Sequence, residues 1–319
     1  YIQTKAGEKI VLVSGGGKDR DERLIKGNTY GTAYVTEANE CHPNFIQEVF
    51  DRTLSSKGRK IFHDLNPKAP SNWYYTDVLR FHEDKQDENP AYGYNYGHFT
   101  IADNMSISRA ELNRAIDTYD KKSIWYQRDI LGLRKIAEGL VYPMFSPEKH
   151  LVDAKPTHGN YYISLDYGTI NPTAMGLWNA YHGVGTMVKE YYFDSRKEKR
   201  QKTDEEYYTD LADFADGYHI ERVIVDPSAA SFKECIRRHG KFGVLDANNA
   251  VLDGIRLTGT LLRAGRLVFD RSCENTVSEF GAYLWDDKAT EDTVIKENDH
   301  MMDAVRYFAM TILRREIRK

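Results

Sequence analysis

The sequence has few of the features that would assign a protein to a class at once. Its three cysteines, Cys41, Cys235 and Cys273, stand far apart with no CxxC pair. This argues against a zinc site or a disulfide framework and favours a reducing compartment. No apolar run approaches the roughly 18 residues that a membrane span needs, and no secretory signal opens the chain. The formal net charge of −4 argues against permanent, chain-wide binding to nucleic acid but allows local basic patches.

Length and composition indicate a globular protein with two domains. Of the 319 residues, 41% are hydrophobic and 29% are charged, and domains typically run to about 100–200 residues. Prolines and weak periodicity predict a linker over residues 139–157. We therefore expect a first domain over residues 1–138 and a second over residues 158–319. Because the chain begins with Tyr1 rather than Met, we also expect a further segment to precede it.

Hydrophobic periodicity predicts an α/β fold throughout. In the first half, strands are predicted at residues 9–14, 30–37, 60–65 and 98–102, with helices at 44–54 and after Ser108, where Glu111 completes a capping box. In the second half, strands are predicted at 161–166, 173–181, 185–193, 222–226 and 244–247. His182-Gly183 is the predicted turn between the second and third of these strands. Helices are predicted at 204–216, 229–239, 272–285 and 299–314. A further helix is predicted to follow the strand 244–247 and to end near residue 264.

Three acidic residues share one structural context in the second half. Asp166 and Asp226 each end a predicted strand, and Asp303 lies on the last predicted helix. At 100° per residue, Asp299, His300 and Asp303 fall within about 100° of one another on that helix, opposite its apolar face. Buried carboxylates are costly unless they are paired or bind a cation, and Mg²⁺ prefers oxygen ligands. We therefore predict a shared metal site at Asp166, Asp226 and Asp303; Asp299 alone is also typical of a helix N-cap.

Four long motifs of this half resemble the nuclease domain of phage large terminase subunits. They are LDYGTINPTA, YYFDSRKEKRQKTDEEY, VIVDPSAASF and NDHMMDAVRY, and they follow one another in order. The resemblance implies an RNase H-like fold, a mixed five-stranded sheet flanked by helices. It also implies catalytic roles for Asp166, Asp226, Asp303 and His300, of which the three acids are metal ligands. Two Mg²⁺ or Mn²⁺ ions about 4 Å apart would then clamp a scissile phosphate of double-stranded DNA.

The first half resembles the ATPase domain of the same terminases. Residues 30–40 (YGTAYVTEANE) resemble the Walker B segment, which assigns Glu37 as the catalytic glutamate, although Thr36 replaces the usual metal-binding aspartate. Residues 63–67 (HDLNP) resemble the coupling motif, with Asn66 as the polar sensor. Without this resemblance, Glu37 would be interpreted as an acid at a helix start, stabilised by the helix dipole.

The resemblance also implies the setting in which the protein works. Its partners would be double-stranded DNA, the small terminase subunit and the portal protein of the procapsid, with no membrane involved. It would act in the host bacterial cytoplasm, transiently at the portal, and the full-length motor would use ATP. The basic residues expected to grip DNA phosphates without reading sequence are Arg196, Lys197, Lys199, Arg200, Lys202, Lys233 and Arg237. The alternative for residues 196–202 (RKEKRQK) is a solvated charged loop.

Two other functions remain open at this stage. An RNase H-like junction resolvase or integrase uses similar acids but lacks a preceding ATPase-like half. A non-catalytic assembly module that docks on the portal would not need three intact acids. Cleavage of branched DNA in preference to linear duplex would indicate the resolvase, and an absence of any cleavage would indicate the module.

The sequence generates one prediction about the first half. No GxxxxGK[ST] phosphate loop occurs in the chain, because Gly15–Gly17 and Lys18 lack the required spacing and the following Ser or Thr. We therefore expect the 319-residue chain alone not to hydrolyse Mg·ATP. Release of inorganic phosphate tests this expectation, and turnover by the purified chain would contradict it.

Overall fold

The computed structural model describes residues 2–4, 7–119, 121 and 123–317. The chain forms two compact units, Tyr1–Met105 with Gln127–Ile136, and Ser106–Tyr126 with Ala137–Lys319. The predicted boundary at residue 138 lies close to the second division, but residues 106–126 also belong to the second unit. Residues 139–157, predicted as a linker, lie within that unit, where Tyr142 and His150 are buried. In the described part of the chain, no helix is long and apolar enough to cross a membrane.

The described residues of the first unit form two small sheets and two helices. Its elements are β1 (Ile2–Thr4), β2 (Gly7–Lys9), β3 (Thr32–Val35), α1 (Pro43–Thr53), β4 (Lys60–His63) and α2 (Arg80–Glu88). Short 3-10 turns span Asp19–Leu24, Ala38–Glu40 and Ile101–Asp103, and π-helical turns span Tyr74–Leu79 and Tyr126–Ile130. Strands β1 and β2 pair antiparallel, whereas β3 and β4 pair parallel with Val35 opposite His63. Helix α1 buries Phe45, Ile46 and Val49 against Tyr74 and Leu79.

Two predicted strands of this unit are wrong. Residues 10–16 have no regular structure, and Val13 is 94% exposed. Residues 98–102 lead into a 3-10 turn instead. An apolar run becomes a strand only when a neighbour supplies the hydrogen bonds of a ladder, and no described strand lies beside either segment. The predicted strands 30–37 and 60–65 and the helix 44–54 are confirmed as β3, β4 and α1.

The second unit is built on one mixed sheet covered by helices. Its strands are β5 (Leu151–Val152), β6 (Asn160–Asp166), β7 (Thr173–Tyr181), β8 (Val184–Phe193), β9 (Ile220–Val225), β10 (Val244–Asp246) and β11 (Leu267–Asp270). Its helices are α3 (Arg109–Asp117), α4 (Pro147–His150), α5 (Asp204–Phe214), α6 (Ala230–His239), α7 (Val251–Arg263), α8 (Glu274–Ala282), α9 (His300–Phe308) and α10 (Arg314–Ile317), with a π-helical turn at Ala309–Leu313.

The strand order in this sheet is β10-β9-β6-β7-β8-β11-β5. Strands β6, β7 and β8 form an antiparallel meander, and the remaining pairs are parallel. The five predicted strands are all present. The expectation of a five-stranded sheet is nevertheless wrong, because β11 and β5 extend the sheet beyond β8.

Local sequence signals fix several element ends. Ser108 and Glu111 form the predicted capping box of α3: the Glu111 N–H donates to the Ser108 hydroxyl at 3.3 Å, and the Ser108 N–H donates to the Glu111 carboxylate at 3.1 Å. His182 and Gly183 both have positive φ, at 49° and 73°, as the tight turn of a hairpin requires. Thr203 begins α5 with a second capping box.

A hydrophobic core lies on each face of the sheet. On one face, α5 and α6 pack Tyr207 and Phe232 against β6, β7 and β9. On the other, Trp178 of β7 stacks on Phe308 of α9 at 4.3 Å, and α7 and α8 complete the layer. Because side chains alternate along a strand, Asp166 shares the α9 face with Ser164, which accepts a hydrogen bond from the Trp178 indole at 2.9 Å.

Glycine allows α7 to approach α9 closely, and this generates a paired prediction. A Cβ at Gly254 would lie 2.5 Å from Cγ of the buried Arg306, whereas a Cβ at Gly259 in the same helix would meet Met144 at 3.4 Å. We expect Gly254→Ala to lower the free energy of unfolding by about 1–3 kcal/mol through overpacking. Gly259→Ala should raise it by up to about 1 kcal/mol through helix propensity. Urea denaturation of both variants measures the difference, and equal shifts would contradict the close approach.

Candidate active site

Two adjacent parallel strands deliver the first two acids of the site. Leu165 of β6 pairs with Val225 of β9, so that Asp166 and Asp226, the next residues of the two strands, emerge at the same edge of the sheet. Val225 and Leu165 are fully buried, which fixes the register of this pair. The sequence prediction that both acids end strands is correct, and the strand pairing makes them neighbours.

Helix α9 brings the third acid and the imidazole to this edge. Asp303 lies in its first turn, and its backbone N–H donates to the carbonyl of Asp299 at 2.8 Å. His300, the first residue of α9, holds its Nδ1 2.9 Å from Oδ2 of Asp166. The side chains of His300 and Asp166 are largely buried, with exposed fractions of 16% and 18%, respectively. The helix thus carries Asp299, His300 and Asp303 on the side that faces the strand ends.

Burial and proximity shift the proton affinities of the His300–Asp166 pair. Burial raises the pKa of Asp166, and repulsion by Asp303 adds to this, against the opposing effect of the bond with His300. For His300, burial acts to lower the pKa, but the bond to Asp166 and the neighbouring Asp299 and Glu279 outweigh it, so the pKa is raised. The pair therefore lies where negative charge is crowded and a cation is favoured.

A set of hydrogen-bond donors holds Asp226. Ser228 donates to Oδ1 through its backbone N–H at 2.7 Å and its hydroxyl at 2.6 Å. The hydroxyl of Tyr307 and the amide of Asn249 donate to Oδ2. Burial acts to raise the pKa of Asp226, but the bonds from Ser228 and Tyr307 outweigh it and the pKa lies below the ordinary value. Asp226 is therefore oriented and ionised at neutral pH.

Tyr307 links the three acids. It donates to Asp226, and it also lies close enough to Asp303 and Asp166 that, after burial, their charges contribute to raising the pKa of its phenol. Its side chain is 1% exposed. Sequence reasoning missed this residue, although it follows Asp303 by four positions and therefore lies on the same face of α9.

One buried cation and one exposed cation offset part of the negative charge of the acids. Arg306, 1% exposed, places Nη2 2.8 Å from Oδ1 of Asp303, and its Nη1 donates to Asn249 at 3.0 Å. Nζ of Lys296 lies 3.3 Å from Asp299 and 3.7 Å from Asp303, but this lysine is 60% exposed. Asp166, Asp226, Asp299 and Asp303 thus outnumber the full positive charges around them.

The donor set at this edge fits a hard divalent cation in its chemistry. Within the described residues, Oδ2 of Asp299 and Oδ1 of Asp303 are buried without a hydrogen bond of regular geometry. Each lies in an ion pair instead, with Lys296 and Arg306 respectively. Both are carboxylate oxygens, the kind of ligand that Mg²⁺ prefers. Among the same residues, however, Asp166, Asp226 and Asp303 do not form a group whose ligand atoms all lie within 4.8 Å of one another. Asp226 is instead bonded to Tyr307, and Asp303 is paired with Arg306.

A buried glutamate fixes the start of α9. The carboxylate of Glu279, on α8, accepts from the backbone N–H groups of Met301 at 2.7 Å and Met302 at 3.2 Å. It caps the helix in place of Asp299, which occupies the N-cap position without a capping bond from its side chain. Burial raises the pKa of Glu279 to about 7. Sequence reasoning missed Glu279 because it lies in another helix.

The sequence-predicted residues of the first unit also come together. Glu37 and Asp64 follow the parallel strands β3 and β4, and the backbone N–H of Glu37 donates to Oδ1 of Asp64 at 2.6 Å. The Asn66 amide donates to Oε1 of Glu37 at 3.0 Å. Glu37 has a left-handed backbone, with φ of 48°, a conformation that is uncommon outside glycine and frequent at functional sites.

The predicted DNA-binding residues divide into exposed and internal groups. The exposed side chains are Arg196, Lys197, Lys199, Arg200 and Arg237. Lys202 instead pairs with Asp210 at 2.5 Å and lies over the Phe193 ring. Lys233, 8% exposed, donates to the carbonyl of Pro227 and to Asp246. Both lysines thus have partners within the unit, and their contact with DNA phosphates stays a prediction.

Comparisons with known proteins place this architecture among phage proteins. The family model of the phage terminase large subunit matches residues 2–133. The chain is 23% identical over 231 residues to the terminase large subunit of Escherichia phage T5, and spans about half of that relative's length, 51%. The solved large terminase of a thermophilic bacteriophage is 40% identical with a TM-score of 0.81, over 94% of this chain and 73% of that one. The structure of that terminase in complex with ADP has a TM-score of 0.79 at 40% identity, and the match covers 93% of this chain and 73% of that one.

The buried carboxylate of Glu279 generates a pH prediction. A glutamate whose pKa is raised by folding destabilises the native state as pH rises from its unfolded value to its folded one. Glu279→Gln retains an acceptor for the α9 N–H groups. We therefore expect its free energy of unfolding, relative to that of the wild type, to increase by about 2–3 kcal/mol between pH 4.5 and pH 7. Urea denaturation at both pH values tests this, with Glu274→Gln, exposed on the same helix, as control. An equal pH response of the two variants would contradict it.

Proposed function

This chain belongs to the phage terminase large subunit family, and on that premise we propose that its second unit is a metal-dependent endonuclease. The substrate is concatemeric double-stranded DNA, which is cut during viral DNA packaging. The observation that carries the proposal is the convergence of Asp166, Asp226 and Asp303, from two strands and a distant helix, on one edge of the sheet. Structural stability does not require three acids to share a largely buried edge with a single buried cation.

We assign the fold of this unit to the RNase H-like class. The support is the mixed arrangement of β8-β7-β6-β9-β10, with helices on both faces and the acids at the ends of its two central parallel strands. Strands β11 and β5 add to this sheet at the β8 edge and lie away from the acids in the strand order. This fold class would explain why acids lie at the ends of β6 and β9.

The three acids are the proposed ligands of two divalent ions, Mg²⁺ or Mn²⁺. Bound there, the ions would supply charge that activates a water and stabilises the leaving oxygen of a phosphodiester. The protein's own groups act by positioning: Ser228 and Tyr307 orient Asp226, and Arg306 orients Asp303. His300 holds Asp166 through its Nδ1 and completes the catalytic set. Because Asp226 is already ionised and oriented, reorganisation of its carboxylate costs little free energy when a cation binds.

The exposed basic residues are the proposed phosphate contacts. Arg196, Lys197, Lys199 and Arg200 lie in the loop between β8 and α5, and Arg237 lies on α6, the helix that follows Asp226. Side chains that end in solvent can exchange counterions for DNA phosphates without desolvation of an internal ion pair. We therefore expect contacts that are independent of sequence.

For the first unit, we propose part of an ATP-driven motor. Glu37 is assigned as the catalytic glutamate and Asn66 as the nucleotide sensor, which the hydrogen bond between them supports. The large terminase of the thermophilic bacteriophage has been solved with ADP and with ATP-γ-S. In the full-length protein, ATP would drive translocation, and the small terminase subunit and the procapsid portal would be partners. The place of action is then the host cytoplasm, at the portal.

A plasmid-nicking assay with Mg²⁺ or Mn²⁺ tests the nuclease. Asp226→Asn should lower the rate of cleavage at least about 100-fold, since a ligand of the metal is worth several kcal/mol to the transition state. Asp270→Asn is the matched control, because Asp270 also ends a strand and accepts from the N–H and hydroxyl of a serine two residues on, Ser272. We expect that control to retain cleavage. Unchanged cleavage by Asp226→Asn would show that the assigned acids are not the active site.

Branched substrates separate this proposal from the resolvase alternative. A packaging nuclease should cut linear or circular duplex at least as well as a four-way junction. A strong preference for the junction would instead favour a resolvase. A complete absence of cleavage in both metals would favour the non-catalytic assembly module.

A further inference from the structure

A second group of ligand-type side chains lies on the opposite face of the sheet from the acids. Glu205 of α5 and Cys235 and His239 of α6 place a carboxylate oxygen, a sulfur and an imidazole nitrogen all within 4.8 Å of one another. Among the described residues, no other three His, Cys, Asp or Glu side chains meet this condition. None of the three belongs to the proposed nuclease site.

The two helices hold these side chains in place. Cys235 and His239 are four residues apart on α6 and therefore share one face of the helix. The His239 ring stacks on Tyr208 of α5 at 3.7 Å, with an angle of 7° between the planes. Its Nε2 points to Oε2 of Glu205 at 2.7 Å. Cys235 is fully buried, whereas Glu205 and His239 are open to solvent, so an ion can reach the group from one side.

The combination of donors selects a class of ion. A thiolate, an imidazole and a carboxylate are the ligands that Zn²⁺ takes in proteins, with water completing a tetrahedron. Ligand atoms around one zinc ion lie roughly 3–4 Å apart, which is compatible with the spacing here after small rotations of the exposed side chains. Mg²⁺ avoids sulfur, so this group and the all-oxygen acid site are suited to different ions. His239 also ends α6, where the helix dipole favours positive charge.

We propose that Glu205, Cys235 and His239 form a Zn²⁺ site that clasps α5 to α6. This inference is independent of the nuclease proposal. It differs from the sequence expectation, in which the lack of a CxxC pair argues against zinc; the proposed ligands are a C-x3-H pair on one helix and an acid thirty residues upstream. Helix α6 begins just after Asp226, so the bound ion would stabilise the helix next to the active site.

Binding at this site exchanges a proton for the ion. The Cys235 thiol gives its proton to solvent as the sulfur–metal bond forms, and no oxidant or reductant is needed. The hydrogen bond between His239 and Glu205 opens at the same step, and both side chains turn their free lone pairs to the ion.

Spectroscopic titration of the reduced full chain with Co²⁺, followed by displacement with Zn²⁺, tests the proposal. A thiolate bound to Co²⁺ gives an intense charge-transfer band in the near ultraviolet, which oxygen ligands do not produce. We expect the band in the wild type, in Asp226→Asn, and in Cys273→Ser, which alters an equally buried cysteine. Cys235→Ser should abolish it.

His239→Ala provides a second variant at an exposed position, where loss of folding does not complicate the result. It should weaken Co²⁺ and Zn²⁺ binding at least about tenfold without changing the far-ultraviolet circular dichroism. Absence of the band in the folded wild type would overturn the site. So would a band that survives both Cys235→Ser and His239→Ala.

Discussion

The parallel pairing of β6 with β9 is the interaction on which the candidate active site depends. It joins the buried C-terminal parts of two strands in one register, with the fully buried Leu165 opposite the fully buried Val225. The residues that follow are both aspartates, and the pairing forces their carboxylates to the same edge of the sheet. A shift of one residue would turn one acid toward the α5–α6 core, where burial of a charge is prohibitive. Hydrophobic burial along the strands therefore supplies the free energy that holds two like charges together.

The rest of the site manages the resulting negative charge. Arg306 is buried beside Asp303, and Tyr307 donates to Asp226 while lying close to the other two acids. Gly254 gives Arg306 the space that it occupies, and Glu279 fixes the first turn of α9 by accepting two backbone N–H groups. Apart from the Arg306–Asp303 pair, which lies within α9, these contacts join elements remote in sequence. The ligand atoms of Asp166, Asp226 and Asp303 do not all lie within 4.8 Å of one another.

Local signals predicted much of the second unit and less of the first. The capping box at Ser108, the turn at His182-Gly183 and the five core strands depend on residues close in sequence, and all are confirmed. The apolar run at residues 9–14 failed because a strand also needs a partner, and the short strands β5 and β11 were missed because their pairing, not their composition, defines them. Tyr142 and His150 show the same limit, since a proline-rich stretch predicted as a linker is anchored by burial against distant helices.

At the site, residue type and position along an element predicted Asp166, Asp226, Asp303 and His300, and the structure brings them to one edge. The roles of Glu279 and Tyr307 arise from tertiary contacts, which sequence patterns do not show. Ser228 was missed although its bonds to Asp226 are local, two residues along the chain. Tertiary contacts also explain Lys202 and Lys233, whose positive charge suggested DNA but which pair with Asp210 and Asp246.

Anomalous diffraction from crystals soaked in Mn²⁺ tests the central claim most directly. If the negative charge gathered at this edge is a cation site, the anomalous difference map will show manganese bound by Asp166, Asp226 and Asp303, with those carboxylates drawn closer together. Manganese bound elsewhere, with the three acids unchanged and still paired to Tyr307 and Arg306, would contradict the account.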